Sequence, residues 1–201
     1  IAYYDNINGD LKYATNQSGS WTITTVDSAG DVGGFASLAL DKNNWAHIAY
    51  YSWTTMKPKY ATNVAGTWMS ETIDPGSGNN GQPTSLVIDS NSKAHVTYGT
   101  WDAVTGQLRY ATNSSGSWNL TVIDGNTVGD KVGSNSVLAM DADGNLHVCY
   151  SDNKNWNTKY AVNTSGTWSI TSFPMQINNQ RAMAIDANAK AHIAGTSGWT
   201  M

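Results

Sequence analysis

Hydrophobic positions along the chain fall in short runs bounded by Gly, Asn and Ser, the pattern of strands joined by tight turns. The runs recur. A basic residue followed by Tyr-Ala (at Lys12, Lys59, Arg109 and Lys159) leads each time to an Asn: Asn16, Asn63, Asn113 and Asn163. The spacings are 47, 50 and 50 residues, which marks a repeat architecture. A polar turn follows each copy, with Gly two residues before Trp21, Trp68, Trp118 or Trp168. Gly supplies the positive φ of a hairpin at that place. Almost wholly apolar runs at 37–40, 85–88, 137–140 and 182–185 predict a strand buried on both faces. Each ends at an Asp (Asp41, Asp89, Asp141, Asp186), crosses a short turn and re-enters a strand at His47, His95, His147 or His192.

Four antiparallel strands per unit predict the blade of a small β-propeller. The apolar strand is innermost, the His strand second, the Tyr-Ala strand third and the Trp strand outermost. The expected fold is therefore all-β, one domain over 1–201 built from four blades. Counting the second strands exposes a mismatch, because residues 1–4 repeat the pattern of 48–51 and give five copies against four of every other strand. The chain thus starts in mid-blade. The simplest closure pairs N- and C-terminal strands in one blade, with 182–185 as its inner strand and either 1–4 or 192–195 surplus. The last copy also departs from the rest in carrying Gly195 where the others have Tyr.

Composition supports sheets and narrows the function. Of 201 residues, 40% are hydrophobic and 13% charged, enough to bury a core, and 19 Gly, 10 Tyr and 9 Trp suit a turn-rich strand protein. A net charge of -4 with only eleven Lys and Arg leaves little to hold a phosphate backbone, so nucleic acid is excluded as an expected partner. The lone Cys149 cannot form an internal disulfide and reads as a small buried hydrophobe. No apolar run reaches the length of a membrane span, and the chain opens on Ile1 in a strand-like pattern, as expected of a fragment or processed form.

The runs at 30–33, 37–41, 47–51 and 59–63 together resemble a repeat of many bacterial and archaeal propeller-like surface proteins. That resemblance covers nearly the whole chain, and it implies an architecture and an extracellular or cell-surface location. The hairpin turns ending at Trp21, Trp68, Trp118 and Trp168 also resemble a degenerate Asp-box, the third-to-fourth-strand turn of sialidase-like and some lectin propellers. Asn or Ser stands here where the box has Asp. In those families the box is a folding element, so the resemblance implies blade phase and no ligand contact.

The regularly spaced residues read as scaffold. The four histidines share one repeat position on the second strand, off the central axis, and are expected to hydrogen-bond within or between blades rather than to form a metal site. The turn at 141–145 echoes a calcium loop without its full ligand set and reads as an Asx-stabilised hairpin. Trp21, Trp68, Trp118 and Trp168 are expected to pack between neighbouring blades.

A second set, Trp53, Trp101, Trp156 and Trp199, follows the second strand in loops of unequal length and sequence. With Asp102, Asp152 and Asn155 beside them, these aromatics predict a carbohydrate-binding face, indole stacking on the apolar side of a sugar while polar neighbours bind its hydroxyls. Asp31, Asn79, Asn80, Asp130, Asn135 and Asn178 are expected on the same face.

Catalysis is not expected. A sialidase-type site needs an arginine cluster, and only Arg109 and Arg181 are present. A glycoside hydrolase needs facing carboxylates, yet Glu71 is the sole Glu and Asp102 with Asp152 is the nearest approach to a pair. No nucleophile elbow, zinc helix or phosphate loop occurs, and no cofactor is implied. The sequence thus points to a lectin-like module with a glycan as partner. The alternative is a structural or protein-interaction unit of a surface or filament assembly, self-associating through its surplus edge strand.

Overall fold

The computed structural model describes residues 1–76, 78–101, 104–174 and 177–197. Among the described residues, seventeen strands form five antiparallel sheets. The first holds β1 (Ala2–Asp5), β2 (Asp10–Thr15) and β3 (Thr22–Asp27). Three complete four-stranded blades follow: β4 (Val32–Leu40) to β7 (Met69–Thr72), β8 (Asn79–Ile88) to β11 (Asn119–Asp124), and β12 (Val132–Met140) to β15 (Thr167–Phe173). Within them lie β5 (Ala46–Ser52), β6 (Lys57–Thr62), β9 (Ala94–Trp101), β10 (Gly106–Thr112), β13 (Leu146–Asp152) and β14 (Asn157–Thr164). A hairpin of β16 (Ile177–Ile185) and β17 (Ala191–Ser197) ends the series. No helix occurs among the described residues, so none is long and apolar enough to cross a membrane.

Strand order in each full blade is the predicted one, apolar strand first and Trp strand last. The strands buried along their whole length are the second ones, β5 and β13. The apolar inner runs, expected to be buried on both faces, are not buried throughout: in the first, 37–39 are half-buried and Leu40 is exposed, because β4 is an edge strand of its sheet. Three apolar clusters fill the spaces between successive sheets, centred on Ile48 and Tyr50, on Val96 and Tyr98, and on Val148 and Tyr150. Neighbouring inner strands are tied by side chain to backbone. Leu86 N–H donates to Ser37 Oγ at 3.0 Å, and Leu138 N–H donates to Ser85 Oγ at 2.9 Å.

The expected closure is not what the termini do. β1 pairs with β2 and β16 with β17, and among the described residues no strand pairing joins the first sheet to the last. The reason lies in the surplus. β1 and β17 are both second strands, so they compete for one slot, and each instead keeps the partner nearest to it in sequence, joined through a short turn. The result is five sheets side by side, three of them complete, rather than four closed blades.

Candidate functional site

The turn after each second strand and the segment entering each inner strand meet at one end of the sheets. Trp53 N–H donates to the Asp31 carbonyl at 2.9 Å, and Asp31 N–H donates to Thr54 Oγ1 at 2.7 Å. Two blades later Asn153 N–H donates to the Lys131 carbonyl at 2.8 Å, and Lys154 pairs with Asp130 at 3.1 Å. This end carries the predicted loop face.

At its first two interfaces the face gathers an aromatic cluster. The Trp53 ring lies 4.8 Å from Tyr4, 5.7 Å from Tyr51 and 6.1 Å from Phe35, centre to centre. Gly34 makes room for it, since a Cβ there would stand 2.2 Å from the indole. Polar groups rim the cluster. Tyr4 Oη donates to Asp31 Oδ1 at 2.7 Å, and Tyr51 Oη donates to Asn79 Oδ1 at 2.6 Å. Phe35, which sequence reasoning missed, is half exposed at a φ of 51°. Thr84 Oγ1 holds its carbonyl at 2.6 Å. The equivalent residue two blades on, Asn135, has φ 52°, and Asn tolerates that conformation where Phe resists it. The only sequence signal was a bulky residue following Gly33 and Gly34.

The remaining predicted residues separate. Trp101 ends β9, half-buried, its ring lying over Gly106 at 2.8 Å from where a Cβ would stand. Trp156 is 70% exposed at φ 54°. The four loop tryptophans are therefore not one repeat position. Trp53 is the first residue of its turn and matches Asn153, whereas Trp156 is the fourth and matches Met56 and Gly9, which share its positive φ.

Asp152 and Asn155 are bonded to each other within the turn. Buried Asp152 accepts from Lys154 N–H at 3.1 Å, Asn155 N–H at 3.0 Å and Asn155 Nδ2 at 2.8 Å, and pairs with Lys159 at 3.3 Å. Burial alone would raise its pKa, but the Asn155 bonds and Lys159 hold it below the ordinary carboxylate value. Asp102 and Trp199 lie outside the described residues.

The histidines sit one to a blade in small networks. His47, His95 and His147 each bond through Nδ1 to the third-strand Tyr60, Tyr110 or Tyr160, and through the other nitrogen face Asp41, Asp89 or Asp141. His192 keeps only its Asp186 partner, at 3.3 Å. Each Asp also accepts turn N–H groups; Asp41 Oδ1 takes those of Asn43 and Trp45, both at 2.9 Å. These are the Asx turns expected from sequence.

A second recurring device escaped sequence reasoning. An Asp at or just past the end of one blade's outer strand is gripped by the next blade. Asp27 accepts from Tyr50 Oη at 2.6 Å and pairs with Lys59. Asp74 accepts from Tyr98 Oη at 2.9 Å and pairs with Arg109 at 2.9 Å. Asp124 accepts from Tyr150 Oη at 2.7 Å and pairs with Lys159 at 2.8 Å. The signal was an apolar-Asp pair, the Asp six residues past Trp21, Trp68 and Trp118. At the same place in the last copy stands Pro174, and the Tyr it would meet is Gly195, so both halves of the device are missing together.

No known family model matches the chain, and no curated protein sequence does. Solved structures match it in fold. A protein of unknown function from Dyadobacter fermentans superposes with a TM-score of 0.65 at 10% identity, over 92% of this chain and 63% of that one. A variant of the Aleuria aurantia lectin in complex with Fucα1-6GlcNAc gives 0.59 at 12%, over 90% and 61%. An intramolecular trans-sialidase from Ruminococcus gnavus gives 0.55 at 10%, over 92% and 45%. The chain spans about three-fifths of the first two. The fold is thus the all-β, propeller-like one of these lectin and sialidase structures.

Proposed function

We propose that this chain is a non-catalytic carbohydrate-binding module of an extracellular or cell-surface protein, using the loop face around Phe35, Trp53, Trp101 and Trp156. One observation carries the reading. Two large aromatics, Phe35 and Trp156, are held exposed at positive φ on that face, where other copies place Asn or Pro for the first and Gly or Met for the second. A bulky ring is strained in that conformation, and such strain gathers at functional sites. Exposed rings of this kind stack on the apolar face of a sugar, and Asp31 and Asn79 stand by to take its hydroxyls. The Aleuria lectin, of the same fold, holds a fucosylated disaccharide, which supports the class of ligand by analogy of fold. The engagement of Asp152 in its own turn supports a binding rather than a hydrolytic role.

A glycan array probed with labelled protein tests this. Wild type retains a discrete set of glycans, and Phe35→Ala and Trp53→Ala each weaken them by about tenfold or more, the loss expected for an aromatic anchor. Binding that is unchanged in both variants overturns the placement, and a blank array overturns the function. A second reading, self-association through strand addition, is favoured by β1 and β17, each of which pairs on one side only among the described residues. Light scattering that shows a monomer at high concentration removes it.

A further inference from the structure

On the opposite face, where the inner-strand turns meet the Trp hairpins, clefts open between neighbouring sheets. One of about 410 Å³ lies between the first sheet and the second, lined by Tyr13, Thr24, Asn43, Asn44 and Trp68 among others. Another, of about 360 Å³, lies between the third and fourth, lined by Tyr110, Thr121, Asn145, Asn163 and Trp168 among others. Both fall within the roughly 300–1,000 Å³ of small-ligand sites. They are the same site repeated. In each, a hairpin Trp stands edge-on to the preceding sheet's Tyr, Trp68 to Tyr13 at 5.2 Å and Trp168 to Tyr110 at 5.6 Å. In each, a Thr is the strand partner of that Tyr. No charged side chain lines either cleft, and the rims are amides and hydroxyls.

The interface between them shows what the clefts can hold. The residue paired with Tyr60 there is Glu71 instead of Thr, and its Oε1 accepts from Trp118 Nε1 at 2.9 Å. The indole N–H groups of Trp68 and Trp168 have no acceptor among the described residues. We infer that the two open clefts are equivalent binding sites for a neutral saccharide unit, whose oxygen takes the place that the Glu71 carboxylate fills at the middle interface. The Trp and Tyr rings supply the apolar wall, the indole N–H the donor, and the amide side chains both donors and acceptors for hydroxyls. A charged ligand has no counterion in the lining. This site is separate from the loop face and does not depend on it.

The test reads the nine indole N–H signals in a ¹⁵N–¹H spectrum, assigned by Trp→Phe variants, during titration with the methyl glycosides of glucose, galactose, mannose, fucose and N-acetylglucosamine. At least one glycoside shifts the Trp68 and Trp168 signals together and leaves that of Trp118 in place. Thr24→Glu and Thr121→Glu, each copying the plug the chain already carries, remove the response of their own cleft by about tenfold in affinity or more. Should one fail to fold, the other makes the same test. Glu71→Thr frees Trp118, whose signal then shifts with those of Trp68 and Trp168. No shift at Trp68 or Trp168 with any glycoside overturns the inference, as does an equal shift at Trp118. The loop face is read apart, at Trp53 and Trp101, so either site can fail alone.

Discussion

Phe35 holds a conformation that costs a bulky residue about 1 kcal/mol or more, while Asn135 holds the same φ at far smaller cost. Phe35→Asn should therefore raise thermal stability by about that amount while weakening glycan binding, and calorimetry beside the array measures both. A variant that loses stability contradicts the strain argument. Gly34→Ala acts through the same cluster: its methyl would meet the Trp53 ring, so the indole must move and its fluorescence and its contribution to binding change with it. The buried histidines set the response to acid. Burial lowers the pKa of His47 and His95 below the ordinary value near 6.5, against the pull of Asp41 and Asp89. The unfolded chain then binds more protons than the folded one as pH falls below 6.5, so the stability these groups contribute is complete above that pH and lost beneath it. A second loss follows at lower pH, where Asp141, held at about 2 by Asn145 and the turn N–H groups, begins to protonate in the unfolded chain near 3.8. Melting temperatures across pH 7 to 5 should fall, and less steeply in His47→Gln, which cannot titrate.

At the scale of the strand and blade, the Asp that reaches into the next sheet ties neighbouring blades by a hydrogen bond and an ion pair. Asp74→Ala leaves the Tyr98 hydroxyl without this acceptor and Arg109 without this carboxylate, though still bonded to Gln107, and should cost about 3 kcal/mol, read by chemical denaturation. The β16–β17 hairpin lacks this tie, with Pro174 and Gly195 in the two positions, and its β17 is less buried than β5 or β13. Native-state hydrogen exchange should find it opening at lower free energy than the three full blades. Much of this was legible in the chain. Strand order, the Asx turns and the edge-on packing of Trp68, Trp118 and Trp168 against a neighbouring blade's Tyr follow from residues that recur at the repeat spacing. Trp21, expected to pack likewise, is exposed, because its sheet is the first and has no preceding one to meet among the described residues. The site was less legible. Trp53 and Trp156 look equivalent by composition, yet they stand three places apart in turns of one length, and only φ and exposure separate them. Phe35 was invisible because a positive φ leaves no mark on a residue that is not Gly.

Across the whole molecule, the sheets lie side by side with their inner strands tied in sequence order, so one short repeat presents its loops to one face and its hairpins to the other. Such an array is suited to binding that is weak at each place and stronger in sum, because linked sites raise the effective concentration of a branched ligand. Closure was illegible in the sequence for a physical reason. Two second strands compete for one slot, and the local hairpin decides each case. The loop face, as proposed, binds glycans through its exposed aromatics. Saturation-transfer NMR reads that contact: the protein's aromatic protons are irradiated in the presence of glycans retained on the array. The strongest transfer is expected to the ring C–H protons of the sugar's apolar face, with its loss in Phe35→Ala. Absence of transfer to every glycan, or transfer indifferent to Phe35 and Trp53, contradicts it.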